Sequence, residues 1–128
     1  GLSGLLICLS RVFNNESEFS NFFPLVKELV RKIGSKRSID DSVFYGTAGE
    51  IEAILSIFEI ARDKEIKDIA DKKVQHMLMK YKRIGNFGCK SLEKFRTIYF
   101  SQGLSGIGYT LLRICNFSKL PNVLLFDT

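Results

Sequence analysis

The sequence predicts an all-α fold built from helical hairpins, and two features of the chain predict it. A pair of glycines three residues apart occurs three times, each time at the start of an apolar helical run. Between these runs lie segments with apolar residues on one helical face and charged residues on the other. A repeat of this length is typical of one supersecondary unit that packs against its neighbours.

The glycine pairs share the pattern G-x-[SA]-G. Their members are Gly1 and Gly4, Gly46 and Gly49, and Gly103 and Gly106. Glycine lets a backbone turn tightly and approach another group closely at a helix start. The free N–H groups of the first turn could then face an anion, a metal-bound group or another backbone. We predict inner helices that start near residues 4, 49 and 106, with their amino ends directed at a shared space.

The predicted inner helices are apolar on most of their circumference, as in "LLICLSRVF" and "AILSIFEIA". Such helices are expected to contact protein on nearly every side. Cys8 and Cys115 lie within two of these runs, so we expect both to be buried free thiols.

Two one-sided segments are predicted to form outer helices near residues 18–33 and 64–82. In "NFFPLVKELVRKI", Pro24 fits a first-turn position and the following Gly34 fits the stop. In "EIKDIADKKVQHMLMKY", apolar residues recur at helical spacing and the other face is charged. The connection over 82–100 contains turn-forming glycines, and its last four residues, "TIYF", could form a short strand.

Composition excludes several classes of protein. The chain has 128 residues, which suits one domain, and 45% are hydrophobic, which argues against disorder. The net charge is +5, but the densest basic stretch alternates in sign, which predicts a solvated helix face and no nucleic-acid partner. No apolar run reaches the roughly 20 residues of a membrane span. Three cysteines without paired spacing indicate a reducing, cytoplasmic setting.

Five residues admit a structural interpretation beside a functional one. Glu50 and Glu52 fall in a first helical turn, where negative charge is favourable, although one could be a catalytic carboxylate. Arg11 and Arg113 could pair with carboxylates or interact with a helix dipole. The single histidine, His76, is predicted to lie at the surface and not to bind metal.

The repeated G-x-[SA]-G pattern resembles the lanthionine synthetase C-like (LanC) cyclases. The ending "FSQGLSGIGYTLLRI" followed by "LPNVLLF" is similar to the C-terminal end of the class II LanM-type lanthipeptide synthetases. The resemblance implies an α/α toroid of inner and outer helical hairpins. Residues 1–128 would form the C-terminal part of that cyclase domain, which makes the chain a partial toroid.

The resemblance also implies a chemistry. These cyclases add cysteine thiols of a precursor peptide to dehydrated serines and threonines, which gives thioether rings. A zinc ion held by two cysteines and one histidine favours the thiolate, and a further histidine acts as acid and base. Phe44 and Tyr45 stand where Cys-His is expected before Gly46, and neither replaces those ligands well. The other zinc ligand and the acid–base histidine are expected upstream of Gly1, so we predict no metal ligand and no catalytic residue here.

Three functional hypotheses follow. In the first, the chain is the end of a lanthionine synthetase cyclase domain, with a precursor peptide and the rest of the parent synthetase as partners. In the second, it is a zinc-free binding module in which Phe44 and Tyr45 line the central cavity and bind a peptide. In the third, it is an unrelated helical-hairpin protein whose glycines are structural.

Overall fold

The computed structural model describes residues 1–13, 16–89 and 99–125. The elements in chain order are α1 (Leu2–Val12), α2 (Glu16–Ser35), α3 (Thr47–Ala61), α4 (Lys64–Ile84), α5 (Leu104–Cys115) and a short 3₁₀ helix (Val123–Leu125). The described residues form no strand, and the all-α prediction is confirmed. Half of the predicted "TIYF" strand lies outside the described residues; its other half, Tyr99 and Phe100, is not extended into a strand.

Helix α3 is the centre of the fold. It contacts α1 on one side and α5 on another, and it also packs against α4. Every residue from Thr47 to Ile57 is buried, and Ile51, Ile54 and Leu55 are completely inaccessible to solvent. Contact with protein on nearly every side is therefore observed for this inner helix.

Helices α1 and α5 differ from α3, because each leaves one apolar face open. The large exposed side chains of these two helices are Leu2, Leu5, Val12, Leu104 and Leu112. Cys8 and Cys115 are exposed as well, so the prediction that both thiols are buried is wrong. The reason is that the apolar surface of each helix is wider than the surface that α3 and the other described elements bury.

Helix α2 starts earlier than its proline suggests. It begins at Glu16, so Pro24 lies in the helix interior and the prediction of a first-turn proline is wrong. A proline at this position removes one intrahelical hydrogen bond. The helix nevertheless continues, because Pro24 is exposed while Phe19 and Val26, on either side of it, belong to one buried stripe.

The outer helices α2 and α4 are joined by a cluster of charges. Glu65 of α4 accepts hydrogen bonds from Arg31 through both carboxylate oxygens, at 2.8 and 3.3 Å. Lys27 Nζ lies 2.7 Å from Glu65 Oε2 and 3.2 Å from Asp63 Oδ2. These hydrogen bonds, first from Arg31 and then from Lys27, lower the pKa of Glu65 to about 2.

We expect the Glu65 carboxyl to titrate near pH 2 when its side-chain carbonyl is followed by NMR. Because the folded pKa lies below the ordinary value, the cluster stabilises the fold above about pH 4.5, and this contribution is lost as the pH falls toward 2. Arg31→Ala should raise the Glu65 pKa toward its ordinary range. A Glu65 pKa near 4.5 in the unmodified protein would show that the cluster does not persist in solution.

Candidate functional site

The segment that leads into α3, residues 40–46, caps the amino end of this helix. We call it the α3 lead-in. The carbonyl of Asp40 accepts the N–H of Thr47 at 3.0 Å, and the carbonyl of Asp41 accepts that of Ala48 at 3.2 Å. The carbonyl of Ser42 accepts the N–H of Gly49 at 3.4 Å. The first-turn donors of α3 are therefore used by another backbone, and no anion is needed to satisfy them.

Gly46 and Gly49 are required because the backbone of the α3 lead-in approaches the start of α3 closely. A side chain at Gly46 would overlap the carbonyl of Asp40, and one at Gly49 would overlap the carbonyl of Val43. At the start of α5, a side chain at Gly106 would overlap the carbonyl of Phe100 and crowd the Val43 side chain. We call each such second glycine, together with the backbone that covers it, a glycine step.

The α3 lead-in is fixed on both sides. Asp41 is completely buried, lies 2.6 Å from Lys80 Nζ and accepts the N–H of Gly88 at 2.8 Å. On the other side, the N–H of Phe44 donates to the carbonyl of Ser101 at 2.9 Å, so the segments before α3 and α5 are bonded to each other.

A cleft of about 630 Å³ opens at the amino ends of α1 and α3. Its wall includes Gly1, Gly4, Gly46, Gly49, Phe44 and Tyr45, together with Val43, Glu50, Leu124 and residues of α1 and α2. The structure thus brings two of the three glycine pairs to one cleft with the two aromatic residues. Gly103, which is the N-cap of α5, and Gly106 are not among the lining residues.

The two aromatic side chains are the most exposed large hydrophobic groups of the cleft. Phe44 is 61% exposed and Tyr45 is 65% exposed, with their ring centroids 6.4 Å apart at an interplanar angle of 80°. Both come from the lead-in, whose backbone is held by the hydrogen bonds described above. Such rings offer a ligand a rigid apolar surface with a phenolic hydroxyl at one edge.

Glu50 lies in the wall of the cleft, and its buried carboxylate takes part in two ion pairs, one with an exposed lysine and one with a buried lysine. Its carboxylate is 3.1 Å from Lys36 Nζ and 2.9 Å from Lys73 Nζ, and it accepts a hydrogen bond from the Ser38 hydroxyl at 2.9 Å. The sequence predicted a solvated charged face for this part of α4, but Lys73 is only 4% exposed. The available signal was helical spacing, since Lys73 falls on the same stripe as Ala70 and Met77.

Glu52 is buried too, in a cluster that joins α3 to α5. Arg113 donates to Glu52 Oε2 at 2.8 Å and to Glu59 Oε1, and its guanidinium lies 5.2 Å from the centroid of the Phe117 ring. Burial raises the pKa of Glu52, although the Arg113 charge opposes this shift. Arg113 does pair with carboxylates, and Glu52 faces the helix interface instead of a cleft.

The residues at this site do not fit the zinc centre that the resemblance implies. Phe44 supplies no donor atom, and the phenolic oxygen of Tyr45 is a poor zinc ligand beside thiolate and imidazole. His76 is exposed on α4, and the pKa of the Cys89 thiol is raised by burial and by Asp40 and Asp41. Within the described ranges, no group of three or more His, Cys, Asp or Glu side chains could hold a metal ion.

Fold and site together define a class of protein: an all-α repeat protein whose inner helices begin at glycine pairs. A family model for lanthionine synthetase C-like proteins matches residues 1–125. The chain therefore belongs to the lanthionine synthetase C-like family. Comparisons with curated proteins and with solved structures return no match. None of the helices in the described part of the chain is both long and apolar enough to cross a membrane.

Proposed function

We propose that this chain forms part of a lanthionine synthetase cyclase domain and supplies a wall that binds the precursor peptide. The observation that carries this proposal is the cleft lined by Phe44 and Tyr45. By the resemblance, these two residues stand where the family has Cys-His before Gly46. In this proposal the parent is a class II LanM-type synthetase, which acts in the cytoplasm in lanthipeptide maturation. Family membership over residues 1–125 supports a lanthionine synthetase-type domain. The class II assignment rests on the similarity of the ending, which includes "LPNVLLF".

The role proposed for this chain is binding and orientation of the peptide. The exposed rings of Phe44 and Tyr45 would contact apolar side chains of the peptide, and the hydrogen-bonded lead-in would hold the rings in place. Because the donor set does not fit zinc, no catalytic step is assigned to residues 1–128. Thiol activation for ring formation would depend on residues elsewhere in the parent protein.

A second candidate function is a zinc-free peptide-binding module without cyclase activity. The replacement of Cys-His by Phe44 and Tyr45 favours it, since the family's metal cannot be held in the usual way by these side chains. Both candidate functions place a peptide in the cleft, and they differ in whether thioether rings are formed.

Metal analysis and a cyclisation assay on the purified full-length protein separate the two. A dehydrated precursor peptide with free cysteines is incubated with the protein, and the remaining thiols are counted by alkylation and mass spectrometry. Stoichiometric zinc together with thiol loss above the uncatalysed rate supports the cyclase. Peptide binding without zinc and without thiol loss supports the binding module, and absence of peptide binding contradicts both.

We expect Phe44→Ala combined with Tyr45→Ala to weaken precursor-peptide binding about tenfold or more, as loss of central aromatic contacts commonly does. The melting temperature should change little, because both side chains are mostly exposed. Met79→Ala is the matched control, since Met79 is 68% exposed and lies on α4. Peptide affinity is measured by titration calorimetry. Equal affinities of the aromatic variant and the control for the precursor peptide would show that Phe44 and Tyr45 do not contribute to the binding site.

A further inference from the structure

Asp41 and Lys80 form a polar network that joins the α3 lead-in to α4. The Lys80 ammonium has three N–H donors, and one of them bonds to Asp41 Oδ1 at 2.6 Å. The other two bond to the carbonyls of Ser38 and Ile39, at 3.3 and 3.2 Å. Asp41 Oδ2 accepts the N–H of Gly88 at 2.8 Å, and the N–H of Asp41 donates to the carbonyl of Gly88 at 2.6 Å. Both charged groups are therefore fully hydrogen-bonded.

Gly88 contacts the backbone just before the lead-in as closely as the covering backbone does at a glycine step. A side chain at Gly88 would overlap the carbonyl of Ile39, which is one of the two carbonyls bonded to Lys80. The network therefore depends on three segments that are far apart in the chain: residues 38–41, α4 and the segment that follows α4.

The network acts from outside the cleft. Neither Asp41, which is completely buried, nor Lys80, whose side chain is 14% exposed, is among the described residues that line the cleft. The three donors of Lys80 are used within the protein, so none is left for a ligand. Any effect of these two residues on a peptide in the cleft must therefore pass through the lead-in.

The rings of Phe44 and Tyr45 depend on the lead-in for their position. More than half of each side chain is exposed, so packing against neighbouring side chains holds the rings only weakly. Their backbone, in contrast, is held on both sides. Asp41 lies three residues before Phe44, and the N–H of Phe44 donates to the carbonyl of Ser101 at 2.9 Å. The place of the rings therefore follows from the bonds of the lead-in.

We propose that Asp41 and Lys80 are positioning residues of the peptide cleft, which hold the α3 lead-in in the conformation that presents the Phe44 and Tyr45 rings to a peptide. The inference rests on the proposed function and names the residues that keep that site ready without touching the peptide. A fully satisfied buried network rigidifies the segments that it joins. A site that is correctly arranged in one molecule out of ten binds about tenfold more weakly than a site that is always arranged.

The test is Lys80→Met in the full-length protein, at a temperature at which the variant is folded. We expect the precursor peptide to bind about tenfold more weakly. The fluorine NMR resonance of a fluorotyrosine at position 45 should also shift. Lys67→Met is the matched control, because Lys67 also lies on α4 and pairs with a carboxylate at 2.6 Å, but its partner Asp71 belongs to the same helix. The control should change neither the affinity nor the resonance.

A double variant keeps the test valid if Lys80→Met does not fold. The single substitution leaves the Asp41 carboxylate buried without its cation, which is strongly destabilising. Adding Asp41→Asn removes that charge and should recover stability. The neutral amide has no ammonium to hold the lead-in at α4, so the weaker binding and the shifted resonance should persist.

A double-mutant cycle shows whether Lys80 acts through the rings. In protein that carries Phe44→Ala and Tyr45→Ala, Lys80→Met should weaken peptide binding no further. Three results would overturn the inference: equal weakening with and without the rings, an unchanged resonance at position 45, or equal affinities of the Lys80→Met and Lys67→Met proteins.

Failure of this inference is distinguishable from failure of the proposed function. If the peptide binds through Phe44 and Tyr45, and Lys80→Met changes neither affinity nor resonance, only the inference fails. If the resonance shifts in Lys80→Met but the unmodified protein binds no precursor peptide, the proposed function fails, while control of the ring position by the network stands.

Discussion

Gly49→Ala is expected to destabilise the protein by about 3 kcal/mol, the upper range for a side chain inserted into a packed site. The added methyl group would overlap the carbonyl of Val43. Relief requires the lead-in to move away, and such a movement would break the hydrogen bonds from Thr47, Ala48 and Gly49 to the lead-in carbonyls. Backbone cannot yield as the end of a flexible side chain can, so the cost should be large.

Chemical denaturation of Gly49→Ala beside Gly108→Ala isolates this effect. Alanine is the better helix former by about 1 kcal/mol, so Gly108→Ala should be neutral or stabilising where space is open. The two variants make the same chemical change in two inner helices and differ only in what covers the glycine. Equal stabilities of the two variants would show that the lead-in does not press on α3 in solution.

Arg113→Met is expected to destabilise the protein by about 3 to 5 kcal/mol, the usual cost of removing one partner from a buried ion pair. Arg113 is completely buried and is the cation that Glu52 and Glu59 share. Methionine keeps part of the volume but leaves the Glu52 carboxylate in the core without its counter-charge. Equilibrium unfolding at neutral pH measures this loss.

The pH dependence of the same variant identifies the cause. Burial already raises the pKa of Glu52, and loss of Arg113 should raise it further. A carboxyl with a raised folded pKa binds more protons in the folded state than in the unfolded state, so its unfavourable effect grows as the pH rises above the unfolded value and shrinks as the pH falls. The cost of Arg113→Met should therefore decrease from neutral pH toward pH 5.

A double variant provides the control for that interpretation. Adding Glu52→Gln to Arg113→Met removes the uncompensated charge and should recover part of the lost stability. A cost that does not vary with pH and is not recovered by Glu52→Gln would mean that packing of Arg113 against Phe117, instead of charge, stabilises the interface.

The sequence predicted helices better than it predicted what covers them. Glycine spacing and apolar periodicity locate the runs that become α1, α3 and α5, because both are local properties. The first-turn position predicted for Pro24 was wrong, since buried residues on both sides of the proline maintain the helix through it. The exposure of Cys8 could not be read locally either, because it depends on which face of α1 meets α3.

At the candidate site, the sequence indicated the glycines and the aromatic pair but not the contacts that join them. The carbonyl of Val43 against Gly49 and the pairing of Asp41 with Lys80 depend on tertiary contacts between distant segments. The burial of Lys73 is the exception, because its helical spacing places it on the apolar stripe of α4 and could have predicted that burial.

The central claim is that a peptide binds in the cleft beside Phe44 and Tyr45, and site-specific photo-crosslinking of the full-length protein tests it most directly. A photoreactive phenylalanine analogue in place of Tyr45 should form an adduct with the bound precursor peptide on irradiation. The same analogue in place of the exposed Met79 should not. Adduct formation at Tyr45 alone is the predicted result, whereas equal labelling from both positions, or labelling from Met79 only, would contradict the account.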